Sequence, residues 1–282
     1  MSLYGAVEAG GTKFVVAVGE DPSQPRNIQR IPTSIHPHET MAAVIAYFKM
    51  QGPLHAIGIA SFGPISYTSG CITNTPKLPW QNFPLRDTLR DALNVPIGFD
   101  TDVNGAALGE ARCGAGQGLE NLVYLTVGTG IGGGALVGGR LVHGLLHPEM
   151  GHMVVRPAPG ELEGFQGVCP FHKNCLEGMA SGPAIEARWN TRAEQLPADH
   201  EAWRVQADYL AQASINLACI LSPQTIVLGG GVMEQLHLFP RIEQRALEIT
   251  NGYLPLPPIV PPGCPYPGLS GALALAQTTQ KY

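Results

Sequence analysis

Two stretches of this sequence share one layout: an apolar strand, a cluster of glycines, then a second apolar strand. They are "VEAGGTKFVVAVG" at residues 7–19 and "NLVYLTVGTGIGGGALVGGRLV" at 121–142. A Rossmann fingerprint or a Walker loop needs a helix directly after its glycines, with an acidic residue or a lysine at fixed spacing. Neither pattern is present, so a strand–turn–strand unit occurring twice predicts two related halves.

An ordinary hairpin turn accounts for "GGTK" as well as a ligand loop does. "GTGIGGG" is harder to dismiss, because five glycines in seven residues cost more chain entropy than a turn requires. A backbone that must approach an oxyanion accounts for that cost. The reading places Gly10, Gly11, Thr12 and Lys13 of the first turn, and Thr129, Gly130, Gly132 and Gly133 of the second, around the phosphates of a nucleotide in a cleft between the halves. A third cluster, "TIVLGGGVME" at 225–234, reads as a strand ending and a helix opening, with Gly230 and Gly231 flanking base and ribose.

Between these landmarks strands and helices alternate. Strands are expected at 4–9, 13–18, 56–63 and 95–100, and helices at 41–51, 84–93 and 103–116, the last ending on glycines. That alternation predicts layered α/β domains. The boundary falls near 116–119, giving a small domain over 1–118 and a larger one over 119–269, with residues from about 270 to 282 returning to the first.

Composition excludes several classes. With 282 residues, 44% apolar and 14% charged, the chain is expected to fold throughout. A formal net charge of −5 leaves no basic field for nucleic acid or an anionic bilayer, and no apolar stretch reaches membrane-spanning length. No signal-peptide layout is read at the N-terminus, so a cytoplasmic protein is expected. Six cysteines there suggest free thiols or a metal.

Asp102, in "FDTDVNGAALGE", follows a strand and starts a helix. It serves as an N-cap on the plainest reading. Beside bound phosphates it would instead accept a proton from a substrate hydroxyl, kept ionised by the helix dipole. Further on, "HPEMGHMVV" and "GVCPFHKNCLEG" bring together His152, Cys169, His172 and Cys175. Two thiolates and two imidazoles make a closed tetrahedral Zn²⁺ set, structural rather than catalytic; His143 and His147 compete for the fourth position. Glu149 and Glu177 bracket the loop and suit sugar hydroxyls, although a solvated glutamate is the commoner case.

The segments "EAGGTKF", "TDVNGAALGE", "TVGTGIGGG", "PEMGH", "CLEGMASGPAI" and "LGGGV", in this order, resemble the ROK family of sugar kinases and sugar-responsive repressors. "NTPKLPWQNFPL" at 74–85 is similar to its bacterial fructokinase branch. The resemblance implies a two-domain actin-like (ribonuclease H-like) fold. It implies Asp102 as catalytic base, Glu149, His152 and Glu177 on the sugar, with His152 also on zinc, glycine hairpins on ATP, and commonly a homodimer. Glu8, Thr101 and His172 depart from the family's glucokinases towards the fructokinase branch, which weakens a glucose assignment.

The function expected is phosphorylation of D-fructose to fructose 6-phosphate with ATP and Mg²⁺, zinc being structural. The alternatives are a ROK kinase for mannose, glucose or an N-acetylated hexosamine, and a non-catalytic sugar sensor. With a strand expected from residue 4, no DNA-reading segment is expected ahead of it.

Overall fold

The computed structural model describes residues 2–75 and 77–279. Along the chain lie β1 (Tyr4–Ala9), β2 (Lys13–Gly19), β3 (Arg26–Pro32), α1 (Pro37–Lys49), β4 (Ala56–Ser61), β5 (Ile65–Ser66), β6 (Cys71–Ile72), α2 (Leu85–Leu93), β7 (Ile97–Thr101) and α3 (Asp102–Cys113). Next come β8 (Leu122–Val127), β9 (Ile131–Val137), β10 (Arg140–Leu141), α4 (Leu176–Ala180), α5 (Gly182–Trp189), α6 (Ala202–Leu221), β11 (Thr225–Gly229), α7 (Leu238–Thr250), β12 (Ile259–Val260) and α8 (Pro267–Thr278). Two compact units result. The first takes the chain to Gly118, His143–His147, and the chain from Gly263 onward; the second takes Leu119–Val142 and Pro148–Pro262.

The first unit's sheet has the order β3-β2-β1-β4-β7. β1 and β2 pair antiparallel across the first glycine turn, while β1, β4 and β7 run parallel. β2 and β4 read as nearly continuous apolar runs because both their faces are covered, whereas the edge strand β3 is polar and mostly exposed. Val7, Phe14, Val16, Ile57 and Ile59 point to one face, where Met41, Val44 and Phe48 of α1 and Leu85 and Leu89 of α2 complete a core. The opposite face is built from small residues, Ala6, Ala17 and Ala60, on which Leu269, Ala272 and Leu273 of α8 pack.

α8 lies very close to that face. A Cβ on Gly58 would run into the carbonyl of Ala272, and one on Gly109 into the carbonyl of Pro267. Glycine at these sites lets α8 meet both β4 and α3 backbone to backbone. The return to this unit starts at Gly263, earlier than the position near 270 expected from sequence. The cause is Glu110, fully buried in α3, whose carboxylate accepts the backbone N–H groups of Ala115, Gly263 and Cys264 at 2.7, 2.9 and 3.0 Å. The same carboxylate ends α3 at Cys113, before the glycines that were expected to lie inside the helix. Of the expected returning segment, residues 280–282 lie outside the described residues.

The second unit's sheet has the order β10-β9-β8-β11-β12, with β8 and β9 antiparallel and β8, β11 and β12 parallel. Val123, Leu125, Ile226 and Leu228 pack against Trp203, Tyr209, Leu210 and Leu217 of α6 and Leu238, Ile242 and Ala246 of α7. The third glycine cluster departs from expectation. β11 is followed by a single 3₁₀ turn at Gly231–Glu234, and α7 begins only at Leu238. Gly230 adopts φ 91°, and glycines weaken a helix start, so the turn closes through i→i+3 bonds such as Met233 N–H to the Gly230 carbonyl. No helix among the described residues is long and apolar enough to cross a membrane.

Candidate functional site

In the first unit, the parallel strands end together. Register pairs Glu8 with Ala60 and Ala60 with Asp100, so the glycine turn after β1 and the start of α3 after β7 share the carboxyl edge of one sheet, where open α/β sheets bind ligands. The turn is closed by Gly10 N–H to the Lys13 carbonyl at 3.0 Å, and Thr33 donates to the carbonyls of both Gly10 and Thr12. Thr12 and Lys13 are exposed at its tip. Glu8 is half-buried beside it, and desolvation raises its pKa while Lys13 opposes the rise.

Asp102 is the first residue of α3. The N-cap is Thr101, whose hydroxyl accepts from Asn104 N–H at 3.2 Å. Asp102 is therefore not the cap; its Oδ1 accepts from Val103 N–H at 2.9 Å, and the carboxylate sits at the positive end of the helix. Beneath it is a network that the sequence reading missed. Asp100, 2% exposed, accepts from Tyr67 Oη at 2.9 Å, Thr101 N–H at 2.8 Å and Asn104 Nδ2 at 2.8 Å through Oδ1, and meets His143 Nε2 at 2.8 Å through Oδ2. The Asp100 bond raises the His143 pKa against partial burial, and burial followed by the Asp100 charge pushes Tyr67 far up. The signal in the sequence was a second aspartate two residues before Asp102, at a strand end where a lone carboxylate must find donors.

In the second unit, Gly128 N–H donates to the Gly130 carbonyl at 2.9 Å, while Gly182 N–H at the start of α5 donates to the Gly128 carbonyl at 2.7 Å. Thr129 is exposed at the tip. Gly230 and Gly231 follow β11, whose end is paired with that of β8, so both glycine segments again share one carboxyl edge. Not all of this glycine is explained by a ligand. A Cβ on Gly133 would lie 2.5 Å from Met150 Sδ and 2.7 Å from Leu125, and one on Gly130 would lie 2.7 Å from Glu177 Oε2. The chain's own packing accounts for Gly133, whereas the neighbour of Gly130 is the end of a flexible side chain.

His152, Cys169, His172 and Cys175 converge, with one donor atom from each lying within 4.8 Å of the others. Cys169 Sγ is 3.8 Å from His152 Nδ1 and 3.8 Å from His172 Nδ1; Cys175 Sγ is 3.5 Å from His152 Nδ1. A tetrahedron with metal–sulfur bonds of about 2.3 Å and metal–nitrogen bonds of about 2.0–2.1 Å has edges of roughly 3.3–3.8 Å, so the donor set fits a closed four-coordinate cation. The turn is preformed: His172 N–H points at Cys169 Sγ (3.5 Å), Lys173 N–H at the Cys169 carbonyl (3.0 Å), and Lys173 adopts φ 57°. The competing histidines are elsewhere in the fold. His143 is on Asp100, and the buried His147 accepts from Ile65 N–H at 3.2 Å.

Cys175 stands at the N-cap position of α4, and two residues on, Glu177 Oε2 accepts from Ile131 N–H at 3.0 Å. The Cys/His loop thus holds a carboxylate against the second glycine hairpin. The carboxylate keeps further acceptor capacity for another donor. Glu149 is exposed and precedes the 3₁₀ turn Met150–His152, whose first bond is His152 N–H to the Glu149 carbonyl at 3.0 Å.

The chain is similar to known proteins over its length. A fructokinase of Lactococcus lactis subsp. cremoris is 44% identical over 259 residues, covering 90% of this chain and 87% of the relative. A fructokinase of Pediococcus pentosaceus is 42% identical over 289 residues, covering 99% of each. The crystal structure of a ROK hexokinase from Thermus thermophilus superposes with a TM-score of 0.85 at 27% identity, covering 99% of both chains. The profile of the ROK family matches residues 4–279, and the chain belongs to that family.

Proposed function

We propose that this protein is a fructokinase, transferring the terminal phosphoryl group of ATP to the 6-hydroxyl of D-fructose. The observation that carries the reading is Asp102 at the first position of α3, on the carboxyl edge it shares with a glycine hairpin, in a chain more than 40% identical to two fructokinases. An enzyme of this kind needs a carboxylate held ionised, and the helix start supplies it.

In this reading Asp102 orients the sugar hydroxyl and takes its proton late in a loose, in-line transfer. Asp100 carries no chemistry. Its bonds to Thr101, Asn104, Tyr67 and His143 hold the first turn of α3, and so fix where the Asp102 carboxylate points. Glu149, His152 and Glu177 receive sugar hydroxyls, Glu177 through acceptor capacity that Ile131 leaves unused. Gly10, Gly11, Thr12 and Lys13, with Thr129, Gly130, Gly132 and Gly133 and the pair Gly230 and Gly231, accommodate ATP, two threonine hydroxyls and turn N–H groups other than those of Gly10 and Ile131 serving as phosphate donors. The hard-cation donors of the first edge are the carboxylates of Glu8 and Asp102, a set suited to Mg²⁺ arriving on phosphates rather than in a protein cage. Mg²⁺ supplies neutralisation of the phosphate charge during transfer.

The Cys/His cluster is assigned Zn²⁺ in a structural role. Soft thiolates with imidazoles in a tetrahedral set suit Zn²⁺, and all four positions are taken by protein. Burial, then the neighbouring Cys169 thiol, push the Cys175 thiol up to about 11; a bound dication would reverse that preference.

The test is an assay of ADP release with Mg-ATP and, in turn, fructose, glucose, mannose and N-acetylated hexosamines, comparing kcat/KM. A clear preference for fructose is expected. Preference for another hexose would overturn the sugar assignment, and no turnover with any of them would overturn the kinase.

A further inference from the structure

The segment "NTPKLPW" leaves one residue without a role in the mechanism above. Lys77 lies across the first glycine hairpin. A Cβ placed on Gly11 would stand 2.7 Å from Lys77 Cε, 3.6 Å from Cδ and 3.9 Å from Nζ, so the aliphatic stem rests on the glycine and the ammonium reaches the turn.

Its position is built rather than incidental. Lys77 N–H donates to the hydroxyl of Thr75, which is 3% exposed. Three residues on, Trp80 N–H donates to the Lys77 carbonyl at 2.8 Å. The Trp80 side chain is 1% exposed and packs against Phe14, Phe62 and Phe83. Its indole N–H is held by the Ser34 carbonyl at 2.9 Å, next to Thr33, which braces Gly10 and Thr12. Lys77 is thus fixed at its backbone by two buried anchors and tied to the segment after β3 that braces the hairpin.

Its charge is unanswered by the protein. Among the described residues no carboxylate pairs with Lys77, and none pairs with Lys13 within ion-pair distance. On this edge the two ammonium groups face the desolvated carboxylate of Glu8 and the carboxylate of Asp102, neither of them within ion-pair distance. Ammonium groups outside any ion pair, beside exposed backbone N–H groups, suit a polyphosphate. A lysine serves this use as a mobile point charge able to follow a moving phosphoryl group.

We propose that Lys77 is a phosphate-binding residue, its ammonium holding the terminal phosphates of ATP together with Lys13. The inference rests on the kinase reading above. Glycine at position 11 then has a specific purpose: it leaves room for the lysine stem to lie flat over the turn.

The experiment compares full-length wild type, Lys77→Met and Lys77→Arg in two readouts, steady-state kinetics and calorimetric binding of inorganic tripolyphosphate at low and moderate salt. Lys77→Met is expected to lower kcat/KM for ATP by about 10- to 100-fold, to leave the fructose KM within about twofold, and to weaken tripolyphosphate at least tenfold with a smaller salt dependence. Lys77→Arg is expected to restore most of the binding, and thermal unfolding to be unchanged in both. Tripolyphosphate binding equal in wild type and Lys77→Met would overturn the proposal, as would a loss confined to the fructose KM. The binding arm needs no turnover, so a protein inactive on every sugar would sink the kinase reading while still deciding the role of Lys77.

Discussion

The two glycine hairpins occupy the same place in sheets of the same order. In each five-stranded sheet, counting its strands in chain order, the third pairs with the second, the second with the first, the first with the fourth and the fourth with the fifth. Yet their glycines answer to different neighbours. Gly11 faces the far end of a flexible lysine, while Gly133 faces Met150 and Leu125 in the core, and Gly130 faces Glu177. A shared letter in a shared motif thus meets the end of a flexible side chain at Gly11 and Gly130 and the packed core at Gly133.

The comparison can be broken by substitution. The largest effect is expected on the first edge: Asp102→Asn should lower kcat by three or more powers of ten with fructose binding retained, measured by turnover and by calorimetry. A variant within tenfold of wild type would remove Asp102 from its role. No residue of the second edge is expected to approach this loss, because the proposed role of its carboxylates is to bind rather than to accept the proton.

Next in size is the metal loop. Cys169→Ser should abolish bound zinc, read as metal per chain by elemental analysis, and lower Tm by more than about 5 °C. Cys219→Ser, at an exposed thiol outside the set, should change neither. Zinc-free wild-type protein would end the assignment. Because Glu177 bridges the loop to Ile131, the Cys169 variant should also raise the KM for ATP, a cross-effect with no counterpart in the first unit.

The glycines themselves give the sharpest test. Gly133→Ala overpacks the second core and should cost about 1–3 kcal/mol, whereas Gly11→Ala should stay within about 0.5 kcal/mol and instead weaken ATP by shifting Lys77. Denaturant unfolding alongside ATP kinetics separates the two; equal destabilisation would erase the distinction.

The smallest effect concerns His143. Its pKa is raised above the usual 6.5 by Asp100. A raised histidine pKa stabilises fully below 6.5 and loses that contribution as pH rises through the elevated value. His143→Asn should therefore lower Tm most on the acidic side, with the gap narrowing towards alkaline pH. A gap constant from about pH 5 to 9 would show that the pair's charge plays no part. His143 is partly exposed, so the gap should be small.

Much of the fold was legible. Residues 4–9 and 122–127 are strands because apolar runs bounded by glycine turns admit little else, and Asp102 was readable as the start of a helix. The metal set was legible because Cys169, His172 and Cys175 are spaced for a single turn. The choice of His152 over His143 and His147 was not readable from spacing. It depends on long-range contacts, with His143 engaged by Asp100 and His147 by Ile65. Asp100 was not legible since two of its partners, at positions 67 and 143, lie far along the chain, although Thr101 and Asn104 are local.

The sequence by itself determined the two strand–glycine–strand units, the α/β alternation, the helix start at Asp102 and the local Cys/His turn. Each depends on neighbours a few residues apart, through backbone freedom, side-chain periodicity or a single turn of chain. Tertiary structure alone decided which glycines face core and which face a lysine, where the chain rejoins the first unit, and what holds α3 in place. Gly109 beneath Pro267, Glu110 on Gly263 and Cys264, and Lys77 on Gly11 are contacts between distant residues. Only the folded backbone brings them within van der Waals or hydrogen-bond range.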